Sequence, residues 1–355
     1  MRSVVQDALS PTDGAPKYTL ETDIEVPSPE KFDIVVQVKA CALAKYNQKI
    51  LTEIHKKSQR DRYSVGHDVA GIVVKIGQSV TSVALGDSVV GVVPLNARYS
   101  GCGEYCLMSE YDIVRKPDRM GFAEAAAGIG DSVKAYTALH YQARVCGGDT
   151  VLVMDGATPF GCVALHLASH WGAKVITTSS SQDERNFIDG LQISVAQVID
   201  ISKRTNILAS SVMEETGGVG VDVVIDNGAC MFTNEEDINI MEEKRKYSIP
   251  HKHEIISCLG ASGKWITSQY NLQLDPPDCQ QLFLRGASVS FLFDKVWNLS
   301  CSQHGRYQHI LHDAVEKMEK GVIKCKIAKE FTLDMAVDAM MHLDQLRIGR
   351  AVVTM

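Results

Sequence analysis

The sequence predicts an α/β fold class, in which a β-rich domain is followed by a domain built on a doubly wound parallel sheet. Residues 34–40 alternate apolar and polar side chains, and glycine is frequent through residues 1–125, as is typical of twisted strands with one buried face. From residue 150 onward, apolar runs of strand length alternate with helical periodicity, which is typical of a parallel sheet covered on both faces. A length of 355 residues favours two domains.

Composition and charge exclude several classes of protein. The formal net charge of −7, without any run of Lys or Arg interleaved with aromatic residues, argues against nucleic acid as the main partner. No stretch approaches the roughly 18 to 20 apolar residues of a membrane span. The ten cysteines are scattered, mostly inside apolar segments, and the amino terminus lacks a signal-peptide pattern. We therefore expect a cytoplasmic protein with reduced thiols.

The first 125 residues predict mainly strands. Met1–Gln6 opens with a strand-like run, and two further apolar runs follow at 69–76 and 88–94. Residues 122–143 are rich in alanine and helical in pattern, so the composition predicts a domain boundary near residue 125.

The stretch 150–181 predicts one complete βαβ unit. Thr150–Met154 is a strand, residues 155–159 form a tight turn, and apolar positions from Phe160 to Trp171 recur at helical spacing before Gly172. Ala173–Thr178 is the second strand. The unit closes in about 30 residues, the size of a dinucleotide-binding βαβ.

Alternation of strands and helices continues to the end of the chain. We predict strands at 196–201, 221–227, 255–259, 263–267, 285–293 and 351–355, and helices at 207–216, 307–318 and 336–343. The charged stretch 231–254 interrupts this order and is interpreted as a surface insertion or mobile loop.

The turn after the first strand of the βαβ unit carries a modified GxGxxG pattern. The first and third glycines are present, but Thr158 replaces the second and Pro159 follows it, which removes one backbone N–H. Proline can also begin a helix without loss, so reduced dinucleotide affinity and normal anion binding both stay open. The predicted cofactor-binding residues of the turn are Gly156, Ala157, Thr158, Pro159, Phe160 and Gly161.

The end of the second strand bears on the choice between NAD and NADP. An acid there would bind the ribose hydroxyls of NAD, but Thr178, Ser179 and Ser180 stand there instead. Arg185 is either a partner for a 2′-phosphate or an ordinary solvated helix residue. Asn227, at the end of a later strand, is also predicted to contact the cofactor. These residues predict NADPH as the cofactor.

Several segments resemble one protein superfamily. The chain is similar to the medium-chain dehydrogenase/reductase superfamily over nearly its whole length, and most similar to its zeta-crystallin-like quinone oxidoreductases. The segments that carry this resemblance are MRSVV, VVQVKACAL, GHDVAGIVVKIG, LGDSVVG, KAYTALHY, the βαβ unit, GGVGVDVVIDNGA, NLQLDPPD, VWNLS and GRAVVTM.

The resemblance implies both architecture and activity. It implies a GroES-like domain made of residues 1–125 and 295–355, and a Rossmann domain at 126–294 that carries the charged insert at 231–254. It also implies NADPH-dependent reduction of quinones or related conjugated carbonyls by a homodimer, with a small-molecule substrate.

Zinc-dependent alcohol dehydrogenases belong to the same superfamily, so their ligand positions can be compared with this sequence. His67 stands at one catalytic ligand position, but the other two fall at Ala44 and near Gly130, which cannot bind zinc. Only Cys102 and Cys106 occur where the structural zinc lobe has four cysteines. The sequence therefore predicts no metal site.

Hydride transfer to a quinone needs a positioned cofactor, an apolar slot and a donor to the developing oxyanion. The predicted catalytic residues near the expected cleft are Asn47, Tyr63, His67, Lys134 and Tyr136. Structural alternatives are a helix cap for Asn47, a local hydrogen bond for His67 and a core position for Tyr136. Lys134 stands where quinone reductases tend to carry threonine.

Three hypotheses follow from the sequence. The first is a zinc-independent NADPH:quinone-type oxidoreductase acting by hydride or electron transfer. The second is a degenerate relative that binds a nucleotide or a protein with little turnover, as suggested by Thr158, Pro159, Lys134 and the charged insert. The third is a zinc alcohol dehydrogenase. The physiological substrate and the oligomeric state do not follow from these residues.

Overall fold

The computed structural model describes residues 1–8, 16–56, 60–203, 206–231 and 249–355. Most of the predicted insert, residues 232–248, lies outside the described residues. The described chain forms two compact units, one of Met1–Val133 with Asp294–Met355 and one of Lys134–Phe293. None of the described helices is long and apolar enough to cross a membrane.

The strands follow the apolar runs of the sequence. They are β1 (Ser3–Asp7), β2 (Tyr18–Glu21), β3 (Asp33–Ala42), β4 (Arg62–Ser64), β5 (Asp68–Ile76), β6 (Ser88–Val92), β7 (Tyr105–Ser109), β8 (Ile113–Arg115), β9 (Thr150–Val153), β10 (Lys174–Ser179), β11 (Gln197–Asp200), β12 (Val221–Ile225), β13 (Leu259–Thr267), β14 (Ser288–Phe291), β15 (Ile327–Thr332) and β16 (Arg350–Thr354).

The helices of the described ranges lie mainly in the second half of the chain. They are α1 (Gln48–His55), α2 (Phe122–Tyr136), α3 (Pro159–His170), α4 (Gln182–Asp189), α5 (Leu208–Glu215), α6 (Lys252–Cys258), α7 (Pro276–Arg285), α8 (His304–Glu319) and α9 (Ala336–Met341). A π-helix, Thr137–Ala143, continues directly from α2.

The first unit is built mainly on antiparallel strands, with one parallel pair, β15 and β16. One sheet has the order β15-β16-β3-β5-β6-β8, with β7 also paired to β3, and a smaller sheet has the order β2-β1-β4. β16, near the end of the chain, pairs antiparallel with β3 near its start. Apolar side chains of these strands, many of them valine, form the core of the unit together with residues of α9. Both ends of the described chain therefore contribute to one β-rich unit.

The second unit contains a parallel sheet with the order β11-β10-β9-β12-β13-β14. All of its strand pairs are parallel. The chain moves outward from β9 to β11 on one side, and β12 then begins on the other side of β9. The order of the strands reverses between β9 and β12, which is where open α/β sheets bind ligands at their carboxyl edge.

One predicted strand is wrong. Ile255 and Ile256, predicted in a strand at 255–259, lie in α6, and the strand β13 begins only at Leu259. The helix starts with a capping box, because the His251 ring accepts from the first turn and the Glu254 carboxylate accepts from the His251 amide at 2.9 Å. A run of five apolar-rich residues does not distinguish a strand from a buried helix turn.

The buried carboxyl group of Asp112, between β7 and β8, generates a testable pH dependence. We expect Asp112→Asn to flatten the pH dependence of the free energy of unfolding. Burial raises the pKa of Asp112 to about 8, and nearby Asp33 adds to the shift. An unfolded aspartate titrates near 3.9, so the unfolded state binds fewer protons between the two values, and stability falls as the pH rises from about 4 to about 8.

Urea unfolding of the wild type and Asp112→Asn at about pH 5 and about pH 8 checks this expectation. The wild type should lose more stability than the variant between the two pH values. An equal loss in both proteins would show that Asp112 does not cause the dependence.

Candidate functional site

The turn after β9 is bound to the end of β10 by hydrogen bonds. Asp155 takes a left-handed backbone conformation, with φ of 56°. Its amide donates to Thr178 Oγ1 at 2.9 Å, and the Gly156 amide donates to the Thr178 carbonyl at 3.3 Å. A Cβ at Gly156 would lie 2.2 Å from Thr177 Oγ1, so glycine is required there. These contacts hold the turn against the carboxyl edge of the sheet.

The first turn of α3 offers fewer backbone donors than an unmodified glycine-rich turn. Thr158 caps the helix, because its Oγ1 donates to the Asp155 carbonyl at 2.7 Å and accepts from the Gly161 amide at 3.1 Å. Pro159 is the first helical residue, so it begins the helix. A Cβ at Gly161 would lie 2.2 Å from the Asp155 carbonyl oxygen. The third glycine of the pattern therefore permits close helix packing.

Two other predicted residues of this turn are largely buried. Ala157 and Phe160 are 1% and 5% exposed. Phe160 follows Pro159 in the first turn of α3. The turn is therefore a packed structure rather than an open loop.

The loop after β12 is organised by the buried side chain of Asp226. Its carboxylate accepts hydrogen bonds from Trp265 Nε1, from Thr267 Oγ1 at 3.0 Å and from the Gly228 and Ser268 amides at 2.8 and 3.2 Å. Burial raises the pKa of Asp226, while these donors lower it. Four donors stabilise the ionised form, and the loop that follows β12 is fixed by them.

Lys134, Asn227, Thr158 and Phe160 form one polar cluster at the carboxyl edge of β9 and β12. Lys134 Nζ donates to Asn227 Oδ1 at 3.4 Å and lies 4.2 Å from the centroid of the Phe160 ring. Asn227 Nδ2 in turn donates to Thr158 Oγ1 at 3.4 Å. The structure thus brings together four residues that the sequence predicted separately. Thr158, Phe160 and Asn227 were predicted to contact the cofactor, and Lys134 was predicted to be catalytic. We call this group the Lys134 cluster.

The sequence predicted that no acidic side chain lies at the end of β10, and the structure differs. Thr178 and Ser179 are buried, and the Glu184 carboxylate from α4 accepts from the Ser180 amide at 2.7 Å and from its hydroxyl at 2.9 Å. An acid therefore does lie at this position, supplied by the helix rather than by the strand. The sequence analysis missed this acid because it considered only residues of the strand end. Glu184 lies four positions after Ser180, and the first turn of α4 places its carboxylate next to Ser180.

Arg185 is engaged away from the serines. Its Nη1 donates to the Val198 carbonyl on β11 at 3.2 Å, and its Nε lies 3.8 Å from an Asp189 oxygen. The side chain is 42% exposed. These contacts agree with the alternative of an ordinary helix residue.

Three predicted catalytic residues lie in the other unit and make structural contacts there. Asn47 accepts from the Lys49 amide at 2.9 Å as the cap of α1. Tyr63 is buried and stacks on His55 with ring centroids 4.7 Å apart. His67 Nδ1 donates to the Val93 carbonyl at 2.9 Å. These contacts match the structural alternatives for Asn47 and His67.

His67 is electrically neutral around pH 7. Burial lowers its pKa to about 4, and the Lys295 ammonium adds to the shift.

A Cβ at Gly130 would lie 2.2 Å from an Asp68 carboxylate oxygen, so this carboxylate fills the space beside Gly130. Of the three positions compared with zinc ligands, only His67 carries a metal-binding side chain.

Tyr136 belongs to an aromatic cluster in the second unit. It is buried, and its ring lies 5.6 Å from Trp171 in an edge-to-face arrangement and 4.9 Å from His140. This environment matches its alternative as a core residue, two positions after Lys134.

A set of possible metal ligands at α6 and α7 is already an ion-pair network. His253, Asp275 and Asp278 have ligand atoms within 4.8 Å of one another. Lys252 Nζ, which is almost fully buried, lies 2.7 Å from Asp275 and 2.8 Å from Asp278. The ammonium group neutralises the carboxylates that a metal ion would need.

Comparison with known proteins identifies relatives of this chain. Residues 30–146 match the family described as the alcohol dehydrogenase GroES-like domain. The chain is 44% identical over 307 residues to mouse (Mus musculus) quinone oxidoreductase-like protein 1, covering 86% of each chain. It is 23% identical over 320 residues to rat (Rattus norvegicus) quinone oxidoreductase, covering 90% of this chain and 88% of the relative.

The fold is shared with solved structures. A mycobacterial protein solved in complex with NADPH has a TM-score of 0.79 and 19% sequence identity, with 100% of both chains covered. The predicted fold class, a GroES-like β-rich domain plus a Rossmann parallel-sheet domain, is confirmed. The chain belongs to the quinone oxidoreductase family of the medium-chain dehydrogenase/reductase superfamily.

Proposed function

We propose that this protein is an NADPH-dependent oxidoreductase that reduces quinones or related conjugated carbonyls by hydride or electron transfer, without zinc. The observation that carries the proposal is the Lys134 cluster beside the glycine-containing turn, at the carboxyl edge where the strand order reverses. The names of the relatives, quinone oxidoreductase and quinone oxidoreductase-like protein, support the reaction class.

The residues of this edge fit a nicotinamide dinucleotide. Gly156 and Gly161 allow the close turn and the close packing of helix on strand that such a cofactor requires. Lys134 and Asn227 would hold its polar groups, and the serine-rich end of β10 would face its adenosine ribose. When bound, the nicotinamide supplies the hydride. The chain's own contribution is binding and orientation.

The first unit supports a reaction that needs no zinc. Ala44 and Gly130 provide no ligand atoms, and His67 is held by the Val93 carbonyl. A catalytic zinc site needs three protein ligands and an open position. We therefore propose that the substrate carbonyl is activated by hydrogen-bond donors rather than by a metal.

A degenerate relative that binds a nucleotide or protein with little turnover is the second proposal. It is favoured by the first turn of α3, where Pro159 lacks an N–H and the Gly161 amide is used by Thr158. Binding without turnover distinguishes it from the first.

We also propose a cytoplasmic homodimer. β14 lies at one edge of the parallel sheet, and Phe291 on it is 55% exposed. Phe283 and Leu284 on neighbouring α7 are 83% and 69% exposed. An edge strand flanked by exposed apolar side chains is suited to pairing with a second copy across a two-fold axis.

The wild-type protein is expected to bind NADPH with a dissociation constant in the micromolar range and to consume NADPH with an ortho-quinone. Fluorescence titration measures binding, and absorbance at the NADPH band measures turnover. Micromolar binding without turnover on quinones and enones would favour the second proposal. No binding at millimolar NADPH would contradict both nucleotide proposals.

Glu184→Gln is expected to strengthen NADPH binding about fivefold and not to strengthen NADH binding. The Glu184 carboxylate lies at the strand end that faces the ribose, so it repels a 2′-phosphate by roughly 1 kcal/mol. Asp183→Asn, in the same turn of α4 but exposed, is the matched control and should change neither affinity appreciably. Equal strengthening of both cofactors by Glu184→Gln would contradict this account.

Phe291→Lys is expected to convert the homodimer to a monomer, because it places a charge on the sheet edge that pairs. Light scattering during size-exclusion chromatography measures the mass. Val219→Lys, at an exposed apolar position outside β14, is the control and should stay dimeric. A monomeric wild type, or a dimeric Phe291→Lys, would contradict pairing through β14.

A further inference from the structure

The altered turn has fewer free backbone N–H groups to bind a dinucleotide diphosphate. In the unmodified pattern the second glycine lets backbone amides approach the pyrophosphate. Here that position is Thr158, whose hydroxyl takes up the Gly161 amide at 3.1 Å, and Pro159 has no amide hydrogen. Backbone amides alone would therefore bind a diphosphate weakly at this turn.

Lys134 lies against the same turn and offers a cationic side chain. Its ammonium is 4.2 Å from the ring of Phe160, which is itself in the first turn of α3 and 5% exposed. A cation over an aromatic face is held by the ring's quadrupole. The position of the charge relative to the turn is therefore set by a buried side chain.

Asn227 connects this charge to the helix cap. Its Oδ1 accepts from Lys134 and its Nδ2 donates to Thr158 Oγ1, each at 3.4 Å. Asn227 is placed by the loop whose Asp226 carboxylate is bound by four donors. Asn227 thus connects Thr158, which replaces the second glycine, to the cationic side chain of Lys134 at the carboxyl ends of β9 and β12.

We propose that Lys134 binds the diphosphate of the dinucleotide and takes over the role of the backbone amides lost at Thr158 and Pro159. This inference rests on the proposed function and gives Lys134 a specific role in cofactor binding. An ammonium group is a point-charge phosphate binder that does not depend on the exact backbone of the turn. Lys134 is therefore a binding residue for the phosphates rather than a donor to the substrate carbonyl.

The test uses the intact chain and two ligands that share the diphosphate, ADP and NADPH, with affinity measured by isothermal titration calorimetry. Lys134→Met and Lys134→Thr should each weaken both ligands about tenfold or more, the loss of one charge-assisted contact. Lys134→Arg should recover affinity to within about threefold, because it restores the charge. The wild-type affinity should also fall more steeply with added salt than that of Lys134→Met.

Lys174→Met is the matched control. Lys174 begins β10 at the amino edge of the same sheet, so this variant makes the same change in net charge away from the turn. Its affinities should stay within about twofold of the wild type. Unchanged thermal unfolding midpoints would show that the variants are folded.

The outcomes separate this inference from the proposed function. If the wild type binds ADP and NADPH and the two neutral variants bind them equally well, the role of Lys134 is overturned while dinucleotide binding stands. The same holds if the variants lose turnover with unchanged ADP affinity, because Lys134 would then act elsewhere. If the wild type binds neither ligand at millimolar concentration, both the inference and the proposed function are overturned.

Discussion

The close approach of α3 to the end of β9 is the constraint on which the candidate site depends. Gly161 lies so near the Asp155 carbonyl that no side chain fits, and the Asp155 and Gly156 backbone amides are fixed on Thr178. The start of α3 can therefore shift little. Thr158, which caps the helix, is therefore held in one position. In that position its Oγ1 accepts a hydrogen bond from Asn227 in the loop after β12.

Buried polar groups are arranged differently in the two units. In the second unit, Asp226 is surrounded by donors and serves to shape a loop. In the first unit, Arg350 pairs with Asp131 through two nitrogens, and Asp68 is buried near them with a pKa raised mainly by burial. Lys295, beside Asp294, supplies a further buried positive charge. Charged side chains thus occupy the region around His67 in the first unit.

The sequence located most of the fold because strand and helix periods alternate clearly in it. The βαβ unit was predictable from its turn and its two apolar runs, and the structure shows that Pro159 begins its helix. Residues 255–259 were misassigned since a short apolar run has no diagnostic period. The contact of Lys134 with Asn227, 93 positions apart, depends on strand order, which no local pattern encodes. Glu184 at Ser180 could have been found from helical spacing.

A crystal structure of the protein grown with NADP⁺ would show whether Lys134 binds the diphosphate, because it locates the dinucleotide without reference to turnover. We expect the diphosphate beside the first turn of α3, with the Lys134 ammonium within hydrogen-bonding distance of a phosphate oxygen. We expect the adenosine ribose near Ser180. Density for the diphosphate away from this edge of the sheet, or a phosphate that Lys134 does not contact, would contradict this expectation.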